Sequence, residues 1–250
     1  MKEYYKYLII IAMFVFAVMV VSCKKDNEEI IREFTSSTIW IVPAFVKTVD
    51  VFCVGGGGAG AGDFGIANHS GSGGNGGVVT YMQNVSVTPG SAIQITVGAG
   101  GVGGKRFDGD NGGASSFGNL VVSDGGYGGI NYQPLEQVNS GRGGHRAWVD
   151  GTNNTDLHGG DGIECPFYLT GEKYGAGGAG ANTAYQQTAL QQFGGATGGG
   201  NSGYGEDNTP QNRGGDATFY GGGGGGAAFS SGHTYSLGGN GSDGIVIIRF

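Results

Sequence analysis

The sequence predicts a mainly-β fold in which a sheet anchors both ends of a long glycine-rich stretch. Apolar runs rich in Ile, Val, Trp and Phe lie near residue 38 and at residues 244–250, and much of the glycine, 58 of 250 residues, lies between them. No run shows helical periodicity long enough to predict a helix. The hydrophobic fraction of 38% supplies residues for a core, which disordered glycine-rich segments lack.

Composition argues against two other classes of glycine-rich protein. A collagen triple helix needs a strict Gly-X-Y period and abundant proline, whereas this chain has five prolines and no such period. Nucleic-acid-binding domains carry a basic face, but the net charge here is −7. The arginines of the glycine-rich part are scattered, at Arg106, Arg142, Arg146 and Arg213. We therefore expect no nucleic-acid partner.

The first 22 residues have the pattern of a secretory signal peptide. Lys2 and Lys6 precede an apolar run from Leu8 to Val21, which is short for a membrane-spanning helix. The run ends in Val20-Val21-Ser22-Cys23, which resembles a bacterial lipobox. This resemblance implies that Cys23 becomes the lipidated first residue of the mature protein. The alternative is an uncleaved signal anchor.

A polar stretch follows Cys23 and is predicted to be a tether over residues 23–36. Its charged part, Lys24 to Glu29, resembles the surface-export tether of Bacteroidetes lipoproteins, although a solvated linker would look the same. Anchoring by lipid predicts a folded part outside the cytoplasm, attached to the outer membrane at the cell surface.

Strands are predicted within residues 38–54. The runs Thr38–Val42 and Lys47–Val54 flank a turn at Pro43-Ala44. In the second run, alternation places one set of side chains on each face of the strand. The two sets are Val49, Val51 and Cys53 on one face and Asp50, Phe52 and Val54 on the other.

Further strands are predicted within residues 78–97, 116–123 and 244–250. Val78–Val87 and Ala92–Val97 flank Thr88-Pro89-Gly90-Ser91, which fits a type II turn, so the two runs are predicted to form a hairpin. Residues 116–123 give a weaker strand. The run at 244–250 gives a strong one, and its simplest partner is the sheet that begins near residue 38.

The glycine-rich regions are predicted to form an ordered bundle, mainly residues 55–77, 98–115 and 124–243. Glycine lacks a Cβ, so such chains can pack very closely in the polyproline II conformation. Ordering costs about 1–2 kcal/mol per residue. The bundle therefore needs both ends fixed by the sheet. Gly175–Gly180 and Gly221–Gly226 are each long enough for two turns.

Four motifs in order carry a resemblance to a known family. They are "FVKTVDVFCVGGGGAGAG", "GGVVTYMQNVSVTPGSAIQITVGAGGVGG", "GGASSFGNLVVSDGGYGG" and "GGNGSDGIVIIRF". The pattern resembles the bacterial and phage glycine-rich domain family, with relatives in phage tail-tip adhesins and the ectodomain of anaplastic lymphoma kinase. The resemblance implies a domain over residues 37–250, an antiparallel β-sandwich with an inserted bundle of polyglycine II helices and irregular loops. It also implies binding and not chemistry.

Motifs that suggest catalysis, cofactors or metals are discounted. Glycine is so abundant that GxGxxG arises by chance, and it carries no weight without a βαβ unit. Residues 238–246 match one calcium-binding β-roll nonapeptide, but no tandem copy follows. The histidines lack metal-ligand spacing and fit no catalytic set. The sequence therefore predicts no enzyme activity, no cofactor and no metal site.

Two questions stay open at the level of sequence. Cys53 and Cys165 could form a disulfide in this compartment, or Cys53 could be a buried free thiol. Aromatic residues among Gly, Asn and Gln could pack around the bundle or could recognise a partner. These aromatic residues are Tyr127, Tyr132, Trp148, Phe167, Tyr168, Tyr185, Phe193 and Tyr204.

The function predicted from these features is a non-enzymatic, surface-anchored module for binding or adhesion. Its partner would be a cell-surface glycan or protein. Two alternatives are a rigid spacer of the cell envelope and an accessory carbohydrate-binding lipoprotein.

Overall fold

The computed structural model describes residues 29–63, 70–103, 108–130, 158–181, 193–195, 197–203, 212–228 and 236–250. The chain divides into two units, Met1–Ile30 and Ile31–Phe250, and the fold is that of the second. Cys23 lies outside the described residues. In the part of the chain that is described, no helix has both the length and the apolar character needed to cross a membrane.

The described fold is built from antiparallel strands, which confirms the mainly-β prediction. One sheet has the order β1-β10-β3-β4, a second has the order β2-β5-β6-β7, and β8 pairs with β9. The strands are β1 (Ile31–Phe34), β2 (Thr38–Ile41), β3 (Thr48–Val54), β4 (Val79–Ser86), β5 (Ala92–Thr96), β6 (Ser115–Phe117), β7 (Val121–Ser123), β8 (Ile163–Glu164), β9 (Lys173–Tyr174) and β10 (Ile245–Arg249).

The two four-stranded sheets pack face to face as a sandwich. Their shared core joins Val51 and Val246 of the first sheet to Trp40, Ile95 and Phe117 of the second. The predicted alternation along β3 is confirmed. Its residues 49, 51 and 53 face this core, whereas residues 52 and 54 face the opposite side of the first sheet.

A second apolar layer covers the outer face of the first sheet. Phe52, Val79 and Ile247 pack there against Cys165 and Tyr174, which come from the chain around β8 and β9. Both faces of β10 are therefore buried, and its residues 245–248 are at most 1% exposed. The predicted pairing of this strand with the sheet over residues 38–54 is confirmed for β3, which pairs with β10 along its whole length, but β2 at residues 38–41 lies in the other sheet.

The predicted hairpin over residues 78–97 is wrong. The turn is present, with Gly90 at φ 77°, but β4 pairs with β3 in the first sheet and β5 pairs with β2 in the second. A type II turn splays the strands that flank it, whereas the primed turns keep them paired. The connection therefore carries the chain from one sheet to the other.

Two further boundaries need correction. Residues 116–123 form two strands instead of one, because Gly118 takes a positive φ of 57° and reverses the chain between β6 and β7. The predicted tether of residues 23–36 includes β1, which pairs with β10. Two of its four residues are charged and exposed, so its sequence resembles a linker.

Candidate functional site

Glycine-rich segments continue from the strands at one end of the sandwich. Segment 55–63 follows β3 directly, segment 70–77 leads towards β4, and segment 236–244 leads into β10. We call these segments and those packed with them the bundle. The other members are segments 98–103, 108–114, 124–130, 158–162, 175–181, 199–203, 212–217 and 221–228.

Hydrogen bonds along segment 55–63 repeat every three residues. Eight of its N–H groups donate to neighbouring segments, and the same neighbour returns three residues later. Segment 70–77, with Val78, accepts the first series, segment 108–114 the second and segment 236–244 the third. The donor–acceptor pairs are Gly55–Val78, Gly56–Gly113, Gly57–Ser242, Gly58–Asn75, Ala59–Asp110, Gly60–Gly239, Ala61–Ser72 and Asp63–Ser236.

Segment 221–228 shows the same three-residue repeat. Its N–H groups donate in turn to segments 175–181, 55–63 and 212–217. The pairs are Gly223–Ala176, Gly224–Gly58, Gly225–Gly215, Gly226–Ala179, Ala227–Ala61 and Ala228–Asn212. Its carbonyl groups accept from three more segments within the described residues, so it lies at the centre of six neighbours.

At most of its described glycine positions this packing has no room for a Cβ. A Cβ placed on Gly57 would lie within 3.0 Å of the Gly222 carbonyl oxygen, and one on Gly58 would meet the Tyr127 carbonyl oxygen as closely. Backbone atoms cannot swing aside as the end of a flexible side chain can. Glycine at these positions is thus a requirement of backbone-to-backbone packing.

Polar side chains replace missing backbone partners at the edge of the bundle. Asp243 Oδ1 accepts the N–H of Gly100 at 2.8 Å, and Asn240 Oδ1 accepts the N–H of Gly103 at 2.8 Å. The two acceptors, Asn240 and Asp243, are three residues apart, and so are the two donors, Gly100 and Gly103. In residues 238–246, which match the β-roll nonapeptide, these two oxygens therefore serve the bundle. Among the described residues, no three His, Cys, Asp or Glu side chains are grouped to hold a metal ion.

At the end of the bundle away from the sandwich, several segments reach their last described residue. The sequence stretches that follow lie outside the described residues. Hydrogen bonds join the segment ends there: Asp63 to Ser236, Ala228 to Asn212, and the Ser70 hydroxyl to the Ala181 carbonyl. Stretches 64–69, 204–211 and 229–235 both leave and return at these ends, while 131–157 and 182–192 leave from them. We call this end, formed by Asp63, Ser70, Ile130, Ala181, Gly203, Asn212, Ala228 and Ser236, the distal end.

A model of the family described as "Glycine-rich domain" matches residues 33–250. The chain belongs to this glycine-rich domain family. The match begins inside β1, which agrees with the pairing of that strand with β10. It begins four residues before the predicted domain boundary at residue 37. No curated protein matches the chain.

Seven of the eight aromatic residues predicted for recognition fall into three groups, and the eighth, Phe193, is 60% exposed with a carbonyl group that accepts the N–H of Gly159. Tyr127 lies in the bundle, where its carbonyl group accepts the N–H of Asn75 and its residue surface is 41% exposed. Phe167 and Tyr168 lie on the outer face of the first sheet. The remaining four lie outside the described residues, in stretches that leave the distal end: Tyr132, Trp148, Tyr185 and Tyr204.

Phe167 and Tyr168 have structural contacts that favour the packing interpretation. The Phe167 ring lies edge-on to Tyr81 at 5.7 Å, and the Arg249 guanidinium lies 4.9 Å from its centroid. The Tyr168 hydroxyl donates to Glu33 Oε1 at 2.5 Å. Burial and this hydrogen bond raise the pKa of Tyr168 above its ordinary value. Sequence reasoning missed these contacts because their partners lie far away in the chain.

The two cysteines of the domain are free and buried, so the free-thiol interpretation is confirmed. Cys53 lies in the sandwich core and Cys165 in the layer on the other face of the same sheet. The sheet separates them, which excludes a disulfide in this fold. Burial raises the pKa of each thiol to about 11, and thiols in that state are weak nucleophiles at neutral pH.

Proposed function

We propose that this glycine-rich domain is a non-enzymatic binding or adhesion module, held at the cell surface by a lipid on Cys23. The observation that carries the proposal is the distal end, from which five sequence stretches start on one side of a fixed scaffold. Binding sites are often built from loops that a rigid framework positions. The stretches supply Tyr, Trp, Ser, Gly and Asn, which suit recognition by contact area and hydrogen bonding.

We infer further that the glycine-rich segments are polyglycine II helices. A helix with three residues per turn returns each N–H group to the same direction every third residue. The repeats along segments 55–63 and 221–228 have this period, and both segments are surrounded by six others. A bundle of this kind would be rigid because each chain is fixed on every side.

The length of the distal stretches favours a binding module over a simple spacer. A spacer needs only short turns between its segments, whereas residues 131–157 make a stretch of 27 residues between Ile130 and His158. Connections longer than about 12–15 residues are uncommon in compact domains and are often functional. This stretch contains Trp148 and Tyr132.

Replacement of Trp148 by alanine is expected to weaken binding to cells or immobilised glycans by tenfold or more. Binding energy at interfaces concentrates in a few aromatic residues, whose loss costs about 2 kcal/mol or more. The matched control is Phe45→Ala. Phe45 is 74% exposed and lies in the turn before β3, at the opposite end of the domain. Binding isotherms and thermal melts are measured for both variants.

Binding that does not depend on these aromatic residues would contradict the binding proposal. Unchanged binding in Trp148→Ala and in a Tyr127/Tyr132 double replacement, with melts equal to that of the parent, would favour the envelope spacer. A large loss of thermal stability in Trp148→Ala would instead assign this residue to packing. Binding confined to glycans would favour the accessory carbohydrate-binding role.

Replacement of Cys23 by alanine tests the anchor. We expect it to abolish incorporation of labelled fatty acid and to release the protein from the membrane fraction. Cys53→Ala is the matched control because that thiol is buried in the sandwich core. Equal labelling of Cys23→Ala and of the parent would contradict the lipoprotein assignment.

A further inference from the structure

We propose that the β1–β10 ladder is the joint through which the domain carries tension between its N-terminal attachment and a partner bound at the distal end. The inference rests on the proposed function for these two points of attachment. The load path itself follows from the strand register. It explains why a short, half-exposed strand such as β1 closes the edge of the first sheet.

The strand register places the two points where force enters at opposite ends of this ladder. Ile31, where the chain enters the domain, is opposite Arg249, and Phe34 is opposite Val246. Strand β10 begins at Ile245, directly after bundle segment 236–244. Ile31 therefore lies at the end of the ladder away from the bundle, and Ile245 at the end next to it.

Tension between these points loads the ladder in shear. The N-terminal attachment pulls β1 along its own axis, away from the bundle. A partner at the distal end pulls β10 through Gly244 in the opposite direction. The hydrogen bonds of an antiparallel ladder lie perpendicular to the strands. Sliding the strands past each other therefore strains all these bonds together, whereas peeling the strands from one end breaks the bonds one after another.

The load then spreads from β10 into the centre of the bundle. Strand β10 pairs with β3 from Arg249↔Asp50 to Ile245↔Val54, and the two strands continue as segments 236–244 and 55–63. These segments stay hydrogen-bonded to each other at three-residue intervals up to the distal end. Arg249 also binds Asp50 Oδ2 at 2.6 Å, which fixes the other end of the strand pair.

Side chains hold β1 against this pull. Phe34 packs against the sandwich core and Ile31 against the outer apolar layer. The hydrogen bond from Tyr168 to Glu33 ties β1 to the turn after β8. Tyr168, which the sequence predicted for recognition, thus helps to hold β1 in place.

Single-molecule force measurements on the full chain test the proposal. In the shear arrangement, the chain is held by an N-terminal tag and by a thiol introduced as Ser236→Cys, with Cys23 replaced by serine. Cys53 and Cys165 are buried, so the introduced thiol is the reactive one. In the peeling arrangement, the chain is held by the N-terminal tag and a tag after Phe250, next to the Ile31↔Arg249 pair.

We expect a rupture force several-fold higher in shear than in peeling. Tyr168→Phe should lower the shear force and leave the melt close to that of the parent. The matched control is Tyr81→Phe, which removes a phenol oxygen hydrogen-bonded to Gln83 on β4, outside the load path. Equal forces in the two arrangements, or equal effects of the two variants, would overturn the proposal. These measurements use no binding partner, so they can fail independently of the binding experiments.

Discussion

Alanine at Gly223 is expected to destabilise the domain by about 3 kcal/mol, the upper end of the usual range for overpacking. A Cβ there would lie within 3.0 Å of the Gly74 carbonyl oxygen, and both chains are fixed by hydrogen bonds. Gly223 donates to Ala176, and its carbonyl group accepts from Gly200. Relief of the clash would move chains that are bonded to several others, so the strain cannot be absorbed locally.

Gly215→Ala is the matched control. It adds the same carbon to the same bundle, but the nearest atom to that carbon would be the Asn201 carbonyl oxygen at 3.1 Å. The neighbour must give by a few tenths of an ångström at this distance. That cost is offset by loss of chain freedom in the unfolded state, which contributes about 0.4–1 kcal/mol of stability for Gly→Ala at a compatible site. Urea and thermal unfolding should therefore show little change for this variant. Similar unfolding free energies for the two variants would mean that segment 221–228 is loosely packed.

The strands were predictable where side chains carried a periodic signal. In β3 the alternation of Val49 and Val51 with Phe52 identified both the strand and its two faces, because both faces are covered by apolar layers. The apolar run in β10 likewise identified a strand. Its burial on both sides is a finding of the structure. Local alternation does not encode the partner, however. This is why β4 and β5 were predicted as a hairpin although they lie in different sheets.

The arrangement of the bundle was less predictable because glycine has no side chain. The sequence indicated close packing, but nothing in segment 221–228 indicates that its neighbours include segments 55–63 and 175–181. Those contacts are made by backbone atoms, which are alike in every segment. Side chains report a few neighbours, as in the three-residue spacing of Asn240 and Asp243, which is matched by Gly100 and Gly103.

The recognition residues illustrate the same limit. Composition selected aromatics among polar residues, yet Phe167 and Tyr168 pack against strands that are distant in sequence. Their charged partners, Glu33 for Tyr168 and Arg249 for Phe167, lie on β1 and β10. Without the pairing of these strands, neither partner could be assigned.

Removal of residues 245–250 is expected to abolish cooperative unfolding of the domain. Strand β10 lies between β1 and β3, so its loss leaves β1 without a ladder partner and β3 paired with β4 alone. It also removes apolar side chains from both layers, Val246 and Ile248 from the sandwich core and Ile245 and Ile247 from the outer layer. Segment 236–244 would then lose its covalent attachment to the sheet.

Single replacements in β10 separate the two layers. Ile248→Ala and Ile247→Ala should each reduce the free energy of unfolding by about 2–5 kcal/mol, since each leaves a cavity in a different apolar layer. Ile41→Ala on β2 is the matched control, because that side chain is 58% exposed and its loss should change stability by about 0.5 kcal/mol or less. A chain truncated after Gly244 that keeps a cooperative melt would contradict this architecture. It would show that the bundle holds itself together without the strand that fixes its last segment to the sheet.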